Sequence, residues 1–132
     1  MRRWVIVLAG LSGILAVGLG AFGAHGLERM LEGAVDAEKR LGWWQTAVSY
    51  HLPHTVALFA TGVLGARSPT RGTIVAASAF TLGMLLFSGS LYVMTLGAPR
   101  WFGAVTPLGG LSLMVGWGAI TAVGARRLAS GD

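Results

Sequence analysis

Residues 72–99, GTIVAASAFTLGMLLFSGSLYVMTLGAP, run for 28 positions without Asp, Glu, Lys or Arg. A helix needs ~20 apolar residues to cross a hydrocarbon core, where its backbone must satisfy its own hydrogen bonds. The run shows no polar–apolar alternation, so it reads as a helix and not as a barrel strand. Three more charge-free stretches accompany it: 4–27 (24 residues), 41–66 (26) and 101–125 (25). The four occupy 103 of the 132 residues. Hydrophobic residues make up 54%, charged residues only 11%, and the mean hydropathy is +0.67. In a soluble chain about a quarter of the residues are charged. The sequence therefore predicts an all-α membrane protein: a single integral domain with transmembrane helices at 4–27, 43–66, 72–96 and 101–125. Short connections make successive helices antiparallel neighbours, in an up-down-up-down bundle.

Arg2 and Arg3 followed by an apolar run, with small residues in Ala21-Phe22-Gly23, also resemble a cleaved leader. The run is longer than the about 7–15 residues of a signal core, so it is read as a span. Between the first two spans, 28–40 carries seven charges. Leu27, Met30, Leu31, Ala34 and Leu41 recur there at near-helical spacing. That spacing predicts an amphipathic interfacial helix between helices 1 and 2, with Trp43 and Trp44 at headgroup level. Pro69 and Pro99 mark turns, and Pro107 with Gly109-Gly110 predicts a bend in the last span.

Lys and Arg in short loops orient a membrane protein. Arg2, Arg3, Arg67, Arg71, Arg126 and Arg127 lie on the side of the termini. Arg29, Lys39, Arg40 and Arg100 lie on the other side, together with Glu28, Glu32, Asp36 and Glu38. The bias predicts that both termini face the cytoplasm. The net charge of +5 comes from these scattered pairs and singles, which form no basic patch, so nucleic acid is excluded as a partner. With no cysteine, disulfides, thiolate metal sites and thiol catalysis are excluded.

Helices in lipid associate through close contact, so small residues four apart mark contact faces. Ser12, Ala16, Gly20 and Ala24 form such a face on the first helix. Ala57, Thr61 and Gly65 do so on the second, Ala79 and Gly83 on the third, Ser112 and Gly116 on the fourth.

The candidate functional residues are His25, His51, His54, Tyr50, Ser88, Ser90, Tyr92 and Thr106, with Gln45 and Thr95 beside them. With helices alternating in direction, all four helices bring these polar groups to one level, toward the face opposite the termini. Three readings fit that layer. It is a structural hydrogen-bond network; or a metal or haem site built on His51 and His54 and completed by His25 or Glu28; or a polar pocket for a small ligand, lipid headgroup or proton. Enzyme signatures are absent: no span contains a carboxylate for a catalytic triad, and no HExxH or Walker loop occurs. Gly18-Leu19-Gly20-Ala21-Phe22-Gly23 has dinucleotide-fingerprint spacing but lies inside a span with no preceding strand. The expectation is a non-enzymatic protein with no cofactor. Its partners are the lipid bilayer, a further copy or another membrane protein and, on the third reading, a small ligand.

Four blocks carry a family resemblance. Gly20-Ala21-Phe22-Gly23-Ala24-His25-Gly26-Leu27 resembles the signature of a family of small bacterial membrane proteins of unknown function. That family is domain of unknown function 423, which also takes in the mitochondrial transmembrane protein 256. Gln45-Thr46-Ala47-Val48-Ser49-Tyr50-His51 with His54 resembles its second block, and Phe87-Ser88-Gly89-Ser90-Leu91-Tyr92 its third. Thr106-Pro107-Leu108-Gly109-Gly110 with Gly116-Trp117 resembles its fourth. The resemblance implies a four-helix inner-membrane protein with a role in membrane integrity, and no established activity, catalytic residue or cofactor.

Overall fold

A computed structural model describes residues 2–131, with side chains from residue 3 onward. The Arg2 side chain, which enters the charge count, lies outside the described residues. Five α-helices and one 3₁₀ segment follow one another, with no strand among the described residues. They are α1 (Arg2–His25), α2 (Leu27–Met30), α3 (Ala37–Arg67), α4 (Arg71–Thr95), the 3₁₀ segment Arg100–Ala104, and α5 (Thr106–Ser130).

Local chemistry sets the boundaries. After α1 comes the single turn of α2, and Gly33 at φ +81° reverses the chain before α3 begins. Pro69 follows the end of α3. α4 opens with a reciprocal cap in which Thr70 N–H donates to Thr73 Oγ1 and Thr73 N–H to Thr70 Oγ1, both at 3.1 Å. Threonine here fills the role usually held by Glu or Gln. Gly97, at φ +108°, turns the chain out of α4. Pro107 lies in the first turn of α5, where its missing N–H leaves no bond unmade. The bend expected at Pro107 is instead the change from 3₁₀ to α-helix at Val105.

The interfacial helix expected over 28–40 does not form. That segment divides into α2, a turn and the beginning of α3, which starts at Ala37, six residues before the predicted span. Two of its charges, Asp36 and Arg40, are held at the helix end. The Asp36 carboxylate pairs with Arg40 at 3.6 Å and Arg100 at 3.7 Å. Arg40 Nε–H donates to the Thr95 carbonyl at 2.8 Å, and Thr95 Oγ1 donates back to the Arg40 carbonyl at 3.0 Å.

Three helical stretches are long and apolar enough to cross a membrane: Arg3–His25, Arg71–Thr95 and Arg100–Ser130. α3 is the longest single helix, at 31 residues, but more polar. The long helices pack serially, α1 on α3, α3 on α4 and α4 on α5. Val5 and Ile6 meet Gly62, Ser12 meets Thr55, and Leu19 meets Trp44, so contacts run along the full length of α1. One apolar cluster joins Ala9, Ala57, Leu58, Ala76, Phe80, Met84 and Leu113. A second joins Leu27, Leu31, Trp44, Ala47, Leu91, Tyr92 and Met94.

Candidate functional site

The buried polar groups converge on His51, not on His25. His51 is only 8% exposed. Its Nδ1 lies 3.1 Å from the Tyr92 hydroxyl of α4, and its Nε2 lies 3.0 Å from Ser12 Oγ of α1. Ser12 Oγ is 2.6 Å from Thr55 Oγ1, and Thr55 Oγ1 is 3.0 Å from the His51 carbonyl. Thus one imidazole joins three helices.

Ser12 and Thr55 also lie 3.8 and 3.6 Å from the weak acceptor Met84 Sδ, and one proton arrangement gives every hydrogen in the group an oxygen or nitrogen acceptor. The Tyr92 hydroxyl has no other hydrogen-bond partner among the described residues, so it donates to Nδ1. His51 then carries its proton on Nε2 and donates to Ser12, Ser12 donates to Thr55, and Thr55 donates to the His51 carbonyl. The reverse direction leaves the buried phenol hydrogen without an acceptor, which costs about 1–3 kcal/mol.

His54, half-buried on α3, has the opposite tautomer. Nδ1 is 2.7 Å from the Tyr50 carbonyl, which only accepts, so Nδ1 bears the hydrogen. Nε2 accepts from the Trp117 indole N–H of α5 at 3.2 Å. Other hydroxyls complete the links between helices. Ser88 donates to the Ala47 carbonyl at 2.8 Å, tying α4 to α3. Thr106 donates to Ser90 at 2.6 Å, and Ser90 to the Phe87 carbonyl at 2.9 Å. Ser112 donates to the Ala79 carbonyl at 2.8 Å, tying α5 to α4.

Several expectations need correction. His25 does not point into the bundle: it is exposed at the end of α1 and makes no hydrogen bond among the described residues. At about 100° per residue it lies roughly 140° around the helix from Ser12. Tyr50 is 44% exposed and lies on the Phe87 ring, with centroids 4.3 Å apart, rather than bonding a histidine through its hydroxyl. Gln45 is exposed. The single outward layer separates into levels. Because α3 begins six residues early, His51 sits near its middle, level with the middle of α1. The three histidines therefore do not converge, and the ring nitrogens of His51 and His54 are already engaged. No group of three metal-ligating side chains exists among the described residues.

Ala16, Ala57, Thr61, Gly65, Ala79, Gly83 and Gly116 are buried, Ser12 and Gly20 are half-buried, and Ala24 is exposed. Trp44, assigned to the headgroups by sequence, is 2% exposed; its indole N–H donates to the Leu19 carbonyl at 2.9 Å. The candidate functional residues read from the sequence did not include Thr55, Arg40 or Trp117. Thr55 stands four residues after His51, on the same helix face, which was a usable signal. The Arg40–Thr95 and Trp117–His54 contacts span 55 and 63 residues and left no local mark.

Residues 19–110 match the family described as Protein of unknown function (DUF423). The chain belongs to this family. It is 40% identical to the UPF0382 inner membrane protein YgdD of Escherichia coli K12, over 96% of this chain and 92% of that protein. It is likewise 40% identical to the UPF0382 membrane protein YwdK of Bacillus subtilis, over 85% and 88%. A UPF0382 membrane protein of Haemophilus influenzae is 38% identical over 89% and 90%. The family's matched region contains His51, His54, Ser88, Ser90, Tyr92 and Thr106. Ser12 and Trp117 lie outside it. No solved structure matches the chain significantly.

Proposed function

We propose that this DUF423 member is a non-enzymatic protein of the bacterial inner membrane. In this reading α1, α3, α4 and α5 all cross as an antiparallel bundle, and the intramembrane polar groups lock the helices together. The closed proton arrangement around His51 carries this reading. Every hydrogen in it has an acceptor within the protein, and both ring nitrogens of His51 are engaged, which leaves that imidazole no nitrogen for a ligand.

α3 is polar by composition, yet Arg40, Trp44, His51, His54 and Thr55 bond to the helices beside it, and Thr46, Ser49 and Thr61 to carbonyls of α3 itself. Its contacts with α1 run in opposite sequence order, from Val5 at Gly62 to Leu19 at Trp44. It therefore spans wherever α1 spans. Leu11, Ile14, Leu15 and Val17 of α1 and Leu108, Leu111, Met114 and Val115 of α5 are exposed, as a lipid-facing surface requires. The inner-membrane assignment draws on the name of the Escherichia coli relative, and cytoplasmic termini on the charge bias. Such a lock suits the membrane-integrity role that the resemblance implies.

The chain has no cysteine, so single introduced cysteines report without background. An impermeant maleimide should label Val35→Cys, at a fully exposed position, from outside intact cells and should reach Ser68→Cys only after lysis. Labelling of both from outside overturns the four-span reading.

A further inference from the structure

Where α1 begins, α3 ends and α4 begins, an open cleft of about 540 Å³ enters the bundle. Arg3 stands at its rim; Thr61, Gly62 and Gly65 of α3 and Ile74 and Ala77 of α4 line its depth. Thr61 and Ala77 each lie six residues from the helix-end arginines Arg67 and Arg71. The cleft thus reaches about 9 Å below those charges. Its interior makes no polar demand, because the Thr61 hydroxyl is spent on the Ala57 carbonyl at 2.7 Å.

The rim is different. Arg3, which lines the cleft, and the helix-end Arg67 and Arg71, which do not, form no ion pair among the described residues. The described carboxylates, Glu28, Glu32, Asp36 and Glu38, all lie in the connection between α1 and α3 or its junction with α3, at the other end of the long helices. The cleft therefore joins an arginine with no partner among the described carboxylates to an apolar interior at headgroup depth. A soluble anion would leave that interior unfilled, and a zwitterionic lipid would bring a second cation to the rim. We infer that this cleft holds one anionic phospholipid, its phosphate on Arg3 and the upper part of an acyl chain against Ile74 and Ala77. The inference rests on the spanning arrangement proposed above, which sets this end at the membrane surface.

The test uses the full chain in neutral detergent, with phosphatidylglycerol or phosphatidylcholine added. Native mass spectrometry should retain one phosphatidylglycerol, and the unfolding temperature should rise with that lipid and not with phosphatidylcholine. Arg3→Gln, an exposed position, should abolish both effects. Arg100→Gln, at the opposite end and paired with Asp36, should keep them. Equal stabilisation by phosphatidylcholine, or retention of phosphatidylglycerol by Arg3→Gln, overturns the inference. Labelling of Ser68→Cys reads the spanning arrangement separately, so lipid loss with that labelling as expected sinks the lipid site alone.

Discussion

Gly23 of α1 lies against the indole of Trp44, so a Cβ at Gly23 would stand 2.6 Å from both Cδ1 and Nε1 of that ring. The contact lets the indole reach the Leu19 carbonyl, and it brings two helices together at a point where any side chain would intrude. Trp44 also meets Phe22 and Tyr92 edge-on, with centroids 5.5 and 4.7 Å apart. It cannot withdraw without disturbing them.

Gly23→Ala should therefore lower stability by about 1–3 kcal/mol, as overpacking of a close contact does. Gly20→Ala should be milder, since a Cβ there would meet Val48 at an ordinary 3.5 Å. Gly10→Ala should be neutral or stabilising, because nothing lies within 4 Å and alanine favours the helix by up to about 1 kcal/mol. Unfolding temperatures in one detergent rank the three, and a Gly23→Ala protein as stable as the parent would contradict the packing.

The sequence placed this contact face on Ser12, Ala16, Gly20 and Ala24, of which Ala16 is buried, Ser12 and Gly20 are half-buried and Ala24 is exposed. Steps of four residues advance about 40° more than a full turn, so Ala24 has rotated roughly 120° from Ser12, whereas Gly23 has rotated only about 20°. Three of the spans were legible as helices long and apolar enough to cross a membrane, because length without charge is a strong physical constraint. The start of α3 was not, because the charges over 36–40 suggest an interface. Their partners Thr95 and Arg100 lie far along the chain. That six-residue difference bears on the candidate site. The sequence put His51 in the outer half of the second span, and in the helix that begins at Ala37 it stands near the middle, bonded to Ser12.

A second glycine offers a sharper test, because its neighbour is backbone. A Cβ at Gly109 would collide with the Phe87 backbone nitrogen of α4, which cannot rotate away as a side chain can. At the adjacent Gly110 a Cβ would sit 3.7 Å from the Phe87 ring. Gly109→Ala should separate α4 from α5 and destabilise the protein markedly, and Gly110→Ala should change little. Equal unfolding temperatures for the two variants would refute the close approach of these helices.

The His51 group should behave as a unit. His51→Leu leaves the Tyr92 hydroxyl without its partner, at a cost of about 1–3 kcal/mol for a buried polar group, while Ser12 keeps its bond to Thr55. Adding Tyr92→Phe removes the orphaned hydroxyl, so the double variant should be more stable than His51→Leu alone. His54→Gln should cost less, near the ~0.6 kcal/mol typical of a contact between membrane helices, since an amide replaces part of the Trp117 link. Additive losses for His51→Leu and Tyr92→Phe would show that the two side chains are not coupled.

The last prediction concerns where the protons sit. His54 must carry its hydrogen on Nδ1, because the Tyr50 carbonyl only accepts and the Trp117 indole only donates. His51 must carry its hydrogen on Nε2, because only that tautomer gives the Tyr92 phenol an acceptor and leaves Ser12 and Thr55 satisfied in turn. Two histidines three residues apart on one helix should therefore show opposite neutral tautomers. Nitrogen-15 NMR of ring-labelled protein in detergent or bilayers separates them, since bare and protonated ring nitrogens resonate far apart. Ser12→Ala should perturb the His51 Nε2 signal and leave His54 unchanged, while Trp117→Phe should do the reverse. Finding both rings in the same tautomer would break the proton arrangement, and with it the argument that His51 has no valence left for a ligand.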